Sequence, residues 1–417
     1  MKCNVLNQLL QTTPIVVTGC GVISAAGLAV AELWQRAVSG HSTAANREFE
    51  FGPVTRSIAV CTAPQLDVTQ PELHPVRRMD RSAQLGWIAA NQALRAAGLE
   101  QDVRSGHTIG VMAGTSRGPL SKLAEGFARV GSRRYPPSLS ADCTFASLSG
   151  CLAQGLDLTG PSATISATCA SGAYAIAFAA EQILLGKADA MLVGAAEAPL
   201  VPAVLAQLDA AGMLGSHAEA ALACRPFDLT RNGLCLGEGS GFIVLESRAA
   251  AERRGATPIA QLAGWGMCVD DSGRAGVSKS GQGLINAATQ ALAAAGLAPG
   301  SIDYVNAHGT GTRLNDAAEA QAMRQIFGAR AATLPCTSTK PVTGHCLGAS
   351  SALEAVLVVE ALQQQLVPPT GNCHQPDPAC LINAQPLQAQ PANLRHVMSN
   401  SLGFWGYHAS LIFSKVG

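Results

Sequence analysis

The stretch "AANQALRAAGL", Ala89 to Leu99, returns almost unchanged as "AATQALAAAGL", Ala287 to Leu297. Both read as an alanine-rich helix closed by a Gly-Leu stop, with Gln92 matched to Gln290, Leu94 to Leu292 and Gly98 to Gly296. Alanine bias alone would not keep those positions in step, so the pair points to an internal duplication. The flanks fall into the same order. "PIVVTGCGVI" (Pro14–Ile23) precedes one helix as "PIAQLAGWGM" (Pro258–Met267) precedes the other, and "HTIGVMAG" follows the first as "DYVNAHG" follows the second. Further on, "ISATCASGAYAIAFAAEQILLG" parallels "TSTKPVTGHCLGASSALEAVLVVEALQQQ", each a short strand, a turn of small residues and a long apolar helix. "GSGFIVLES" and "YHASLIFS" close the halves as strands.

Strands alternating with helices that are apolar almost all round imply α/β sheets covered by buried helices. Two such halves packed together give a duplicated five-layer α/β/α/β/α architecture. The boundary falls near "AAAERRGATP", which assigns residues 1–250 to an N-terminal half and 251–417 to a C-terminal half.

With 417 residues, 48% hydrophobic and 13% charged, the chain has ample material for a large core. Lys+Arg and Asp+Glu both total 28, so no overall field points to nucleic acid or an anionic membrane. The N-terminus has no apolar run of signal-peptide length, and "SSALEAVLVVEALQQQ" is broken by Glu354 and Glu360. A cytoplasmic protein without a membrane span is expected. The 13 cysteines are odd in number and include no C-x-x-C pair, which argues against a disulfide framework or a ribbon-type zinc site. Cys373, His374 and Cys380 in "CHQPDPAC" lack a fourth ligand and read as a loop, so no metal is assigned. "GCGVISAAG" has Ser24 where a dinucleotide fingerprint needs its third glycine, and no P-loop occurs.

Cys169 follows the strand-like "ATISAT" and precedes the helix that stops at Gly186. A sulfur at a helix N-terminus meets free backbone N–H groups and the positive end of the dipole, which favour a thiolate and can receive an oxyanion. On these residues alone, a structural and a catalytic cysteine stay equally open. His308 stands at a strand end in "VNAHGTGTRLND"; His345 stands in the turn before the second long helix, with Lys340 ahead of it and Glu354 within that helix. Duplication puts the Cys169 and His345 turns in equivalent places, from which they can converge on one site with His308.

The ordered set "VVTGCGVIS", "RRMDRSAQL", "ATCASGA", "GAAEAP", "RPFDLTRNGLCLGEGSGFIVLE", "NAHGTGTRLND", "STKPVTGHCLGASSALEA" and "SNSLGFWG" resembles the β-ketoacyl-[acyl carrier protein] synthases, elongating condensing enzymes of the thiolase fold. The resemblance implies that Cys169 takes an acyl group from a carrier-protein phosphopantetheine, and that His308 and His345 hold malonyl-carrier protein during loss of CO2. It also implies Lys340 and Glu354 as a supporting pair, the N–H groups of Cys169 and Phe404 as an oxyanion hole, and Thr310 and Thr312 as pantetheine-binding hydroxyls. Arg117, Leu208, Phe404 and Trp405 belong to the acyl pocket and gate on the same basis, and Arg77, Arg133 and Arg134 to carrier docking. No bound cofactor or metal is implied. The expected assembly is a homodimer, or a heterodimer with a chain-length-factor subunit, serving fatty-acid or specialised polyketide synthesis.

The chain departs from the family where Trp405, Tyr407 and His408 stand in "GFWGYH", a bulkier gate than the usual Gly-Phe-Gly-Gly-Thr-Asn. Arg117 replaces the usual apolar floor residue of the acyl pocket, so it either pairs with a carboxylate across a subunit interface or meets a polar acyl group. Two alternatives carry less weight. A non-condensing chain-length factor usually lacks the cysteine, and a thiolase or acyl hydrolase would pair two cysteines with a histidine or need water beside the acyl-cysteine.

Overall fold

The computed structural model describes residues 2–100, 108–131, 135–271, 273, 277–384 and 388–417. The N-terminal half contributes strands β1 (Ile15–Ser24), β2 (Ile109–Gly114), β3 (Ser162–Ile165), β4 (Ala190–Glu197) and β5 (Gly239–Ser247). The C-terminal half contributes β6 (Ala260–Val269), β7 (Tyr304–Asn306), β8 (Cys336–Thr337), β9 (His396–Leu402) and β10 (Tyr407–Ser414). Their spatial order is β3-β2-β4-β5-β1-β6-β10-β9-β7-β8, which reads the same outward from the centre in both directions. Strand sense repeats too. β2 runs parallel to β3 and β4, and β5 lies antiparallel between β4 and β1; β7, β8, β9, β10 and β6 repeat the pattern. The duplication read from the helices therefore extends to topology. The two expected sheets share one edge, where Ile15, Val16 and Val17 pair antiparallel with Leu262, Gln261 and Ala260.

Helices α1 (Arg81–Ala96), α2 (Ser171–Leu184), α3 (Gln282–Ala295), α4 (Arg313–Phe327) and α5 (Ser350–Gln364) complete the layers. α1 covers the outer face of β1, β5 and β4; α3 covers β6 and β10, with α4 beside it. α2 and α5 lie between the halves, each packed on strands of both, which is why they are buried nearly all round. This is the expected five-layer thiolase arrangement.

The repeated residues now have physical reasons. A methyl on Gly21 would stand 2.0 Å from the Ala89 carbonyl oxygen, and one on Gly266 would stand 2.0 Å from that of Ala287. These glycines let α1 and α3 lie backbone to strand, so the Gly-x-Gly of β1 is a helix seat and not a nucleotide loop. Gln92 accepts from the Val22 N–H at 2.9 Å, and Gln290 from the Met267 N–H at 3.3 Å, at matching points of β1 and β6. An N-terminal helix, Lys2–Thr12, lies outside the repeated pattern; it docks on α3 through Asn7, whose Nδ2 donates to the Ala294 carbonyl at 3.0 Å.

Gly172 brings the two central helices together at their starts. A side chain there would meet the Ala352 N at 2.8 Å, and the Ala173 N–H donates to Ser351 Oγ at 2.9 Å. The turns before α2 and α5 therefore face one space. No helix among the described residues is long and apolar enough to cross a membrane.

Candidate active site

Cys169 sits one residue before the N-cap of α2, after Thr168 at φ 52. A β-branched residue in the left-handed region costs about 1–3 kcal/mol, which the surroundings must hold in place. Ser171 Oγ does so by donating to the Thr168 carbonyl at 2.6 Å, and Thr168 Oγ1 donates to the Phe404 carbonyl at 3.3 Å. Gly403 is forced by the same contact, since a methyl there would lie 2.0 Å from Thr168 Oγ1 and 3.2 Å from the Cys169 N. The Gly403–Phe404 segment thus passes over the nucleophile turn, beside the two N–H groups expected to form an oxyanion hole.

Cys169, His308 and His345 line a single cavity of about 380 Å³, together with Thr310, Thr312, Leu208 and Phe404. The two imidazoles meet edge to face, with centroids 5.3 Å apart and planes at 85°. Lys340, fully buried, donates from Nζ to Glu354 Oε1 and to the His308 carbonyl, each at 2.5 Å, and lies 3.5 Å from His308 Nδ1. An ammonium offers only donors, so Nδ1 faces it as acceptor and the ring proton stays on Nε2. His345 Nδ1 lies 2.9 Å from Ser350 Oγ, which can donate and permits the same tautomer. Burial, then the Lys340 charge, hold both rings well below the ordinary histidine pKa; His345 and His408 lower His308 further. Each is a neutral imidazole at physiological pH.

The thiol corrects one expectation. Burial pushes Cys169 up to about 12, against the pull of Lys340, with smaller opposing contributions from Glu197 and Arg117. Desolvation outweighs the helix-start effect, because the apolar cluster holding Cys169 includes Leu208, Leu234, Leu236 and Leu347. The resting pair is a neutral thiol beside neutral imidazoles. Site-resolved mass spectrometry of iodoacetamide labelling at Cys169 should therefore show a rate rising about tenfold per pH unit from 7 to 9. A plateau below pH 7 would mean a preformed thiolate.

Three carboxylates given no role by the sequence reading hold the site loops: Glu197 stands within "GAAEAP", Asp316 closes "NAHGTGTRLND", and Glu319 follows three residues on. Glu319 on α4 accepts from the His308 N–H at 2.7 Å and the Gly309 N–H at 2.8 Å. Asp316 accepts from the N–H groups of Thr310 at 3.1 Å and Gly311 at 3.2 Å. Glu197, at the end of β4, accepts from the turn after β2 and from Gly348. Burial lifts Glu197 and Glu319 to about 7 despite these donors. Asp316 and Glu319 reach N–H groups within a few turns of chain and Glu197 reaches distant ones, but in both cases a backbone N–H partner leaves no residue type to mark the pairing.

Other expected residues are placed differently. Trp405 is 55% exposed and does not line the cavity. Arg117 also stands outside the cavity wall, half-buried, with Nη1 3.5 Å from Gln207 Oε1. The rest of the altered gate turns inward: Tyr407 meets Tyr174 edge to face at 5.7 Å, and buried His408 bonds Asp270 Oδ2 at 2.9 Å. Arg77 is exposed in the turn before α1, away from the cavity. Arg133 and Arg134 lie outside the described residues. Cys373 and Cys380 pack in the core with Phe227 and Met323, and among the described residues no group of three or more His, Cys, Asp or Glu side chains could hold a metal ion.

A cysteine at a helix start, facing two neutral histidines between duplicated sheets, defines an acyl-transferring enzyme of the thiolase fold. Residues 12–251 match the family model described as "Beta-ketoacyl synthase, N-terminal domain" and residues 259–374 the one described as "Beta-ketoacyl synthase, C-terminal domain", and the chain belongs to the β-ketoacyl synthases. It is 35% identical to "Nodulation protein E" of Rhizobium sp. (strain N33) over 96% of this chain and 99% of that one. It is 33% identical to "3-oxoacyl-[acyl-carrier-protein] synthase 2" of Coxiella burnetii (strain RSA 493 / Nine Mile phase I) over 98% of this chain and 100% of that one. The solved structure "The ishigamide ketosynthase/chain length factor" is similar with a TM-score of 0.88 and 30% identity, covering 97% of this chain and 100% of that one.

Proposed function

We propose that this β-ketoacyl synthase condenses an acyl group held on Cys169 with a malonyl unit delivered by an acyl carrier protein, releasing CO2. The observation that carries this is the convergence of Cys169, His308 and His345 on one cavity with both rings neutral. In the first half-reaction Cys169 Sγ attacks the acyl thioester carbonyl, the bond from that carbonyl to the carrier sulfur breaks, and the Cys169 thiol proton ends on the departing carrier sulfur. The carbonyl oxygen is received by the N–H groups of Cys169 and Phe404. In the second, Nε2–H of His308 and of His345 hold the malonyl thioester oxygen as CO2 departs. The enolate carbon then attacks the acyl-cysteine carbonyl, the bond from that carbonyl to Sγ breaks, and the Cys169 sulfur takes a proton from water to return as the thiol. Thr310 and Thr312, whose hydroxyls lie 2.9 Å apart in the cavity wall, bind the pantetheine arm, and Lys340 with Glu354 steadies the histidines. The intact cysteine and histidine set favours this reading over a non-condensing chain-length factor. Incubating the protein with acyl- and malonyl-carrier proteins tests it, and a β-ketoacyl product with release of CO2 is expected.

A second subunit, identical or of chain-length-factor type, and a cytoplasmic setting go with this reading. The division into halves at residues 250 and 251 is kept as part of the proposal. For carrier docking, the cavity mouth adds cations to Arg77, Arg133 and Arg134. Lys279, Arg313 and Arg324 border an open groove that shares Arg313 and Leu314 with the catalytic cavity and contains no carboxylate among its described lining residues. In a chain of zero net charge, such a local cluster suits an acidic carrier. Lys279→Glu combined with Arg324→Glu should raise KM for malonyl-carrier protein about tenfold relative to a small malonyl thioester. Arg77→Glu, measured alongside, tests the other face; equal changes for both substrates would rule out docking at the altered face.

A further inference from the structure

We propose that Glu197 is a positioning residue for acyl loading, holding Leu347 against Cys169 through the Gly348 N–H. This rests on the ketosynthase reading above. Glu197 is fully buried and takes four hydrogen bonds: from Thr115 Oγ1 at 3.1 Å, and from the N–H groups of Ser116 at 2.6 Å, Arg117 at 3.0 Å and Gly348 at 3.1 Å. Three of these donors belong to the turn after β2 in the N-terminal half; the fourth belongs to the segment after His345. A carboxylate has two oxygens and about four acceptor sites, so Glu197 is saturated and spans the two halves with one side chain.

Leu347 is where that bridge reaches the substrate. It adopts φ 43, lines the catalytic cavity, and packs in one apolar cluster with Cys169 and Leu208. A leucine leaves the left-handed region when its peptide is released, and the peptide that follows it is the one Glu197 grips. Gly348 leaves no slack, because a methyl there would stand 2.8 Å from Glu197 Oε2 and 2.6 Å from the Ser116 N. The same turn reaches the nucleophile loop from its other side, where Ser171 Oγ lies 3.4 Å from the Thr115 carbonyl and 2.6 Å from that of Thr168. The histidines are anchored elsewhere: His308 by Glu319 and Lys340, His345 by Ser350 and by the Cys235 carbonyl, which accepts its N–H at 2.7 Å. Loosening Glu197 therefore moves the acyl wall and leaves the malonyl side in place.

The test separates the two half-reactions. Glu197→Gln keeps the shape and turns an amide NH2 toward N–H donors that need an acceptor. Acyl transfer to Cys169 should fall about 10- to 100-fold, as a misplacement near 1 Å does. Decarboxylation of malonyl-carrier protein should fall less than about threefold. Gly348→Ala, which keeps the carboxylate and displaces its partner, should reproduce the split and decides the matter if the glutamine variant does not fold. Loading at the wild-type rate, or equal falls in both half-reactions, overturns the proposal. A wild-type protein that takes no acyl group at Cys169 overturns the ketosynthase reading instead.

Discussion

The Cys169→Ala variant is expected to take up no acyl group from any carrier-bound donor, while its malonyl decarboxylation persists. Among the described residues no other cysteine lines the cavity, so none of them offers a second thiol to the acyl group there. Cys61, Cys235 and Cys346 are buried elsewhere, behind His345. The fold should survive. Alanine keeps the Cβ and removes a single sulfur from an apolar cluster, a loss of about 1 kcal/mol by the usual value for one buried methylene-sized group. The strained Thr168 and the Ser171 bond that holds it use no atom of the Cys169 side chain. Intact-mass spectrometry after incubation with acyl-carrier protein reads the result directly. Wild-type loading by the alanine variant would place the nucleophile on another residue.

The layered fold was legible because duplication repeats structural constraints as well as composition. Gln92 and Gln290 recur because each caps an N–H of the strand beneath its helix, and Gly21 and Gly266 recur because a helix backbone crosses them. Those are local contacts between neighbouring elements, and such contacts leave a pattern in sequence. The shared edge of the sheet left none. It depends on three pairs between strands separated by the whole N-terminal half, with no residue type that marks them.

Within the site, Cys169 and His345 could be found because they sit in turns of small residues at equivalent points of the two halves, and His308 because it ends a strand in front of a Gly/Thr turn. Their protonation could not. The helix-start position of Cys169 suggests a thiolate, but the Leu208, Leu234 and Leu236 side chains that desolvate it arrive from separate segments. Glu197, Asp316 and Glu319 escaped for a related reason: each recognises backbone N–H groups, which every residue but proline has. Trp405 shows the converse, a conspicuous substitution in the gate that ends up facing solvent.

Decarboxylation carries the second large effect. His308→Ala and His345→Ala should each lower CO2 release from malonyl-carrier protein by on the order of a hundredfold or more, while acyl loading is at least partly kept. Two neutral Nε2–H donors stabilise an enolate oxygen more than the ground-state carbonyl, and that difference is what speeds the step. The pH dependence follows from the same geometry. Both ring pKa values lie well below the ordinary 6.5, so the rings stay neutral as pH falls from 8 to 6, and the imidazole NMR shifts of His308 and His345 should stay unchanged across that window. Imidazole shifts that titrate near pH 6.5 would mean that the rings are ordinary, solvated histidines. Lys340 is the poorer target, since its removal leaves Glu354 buried without its charge partner and costs about 3–5 kcal/mol of stability. The histidine truncations leave that pair intact, so a fall in CO2 release from a folded variant reports on the enolate step itself. Normal release from either variant removes that histidine from it.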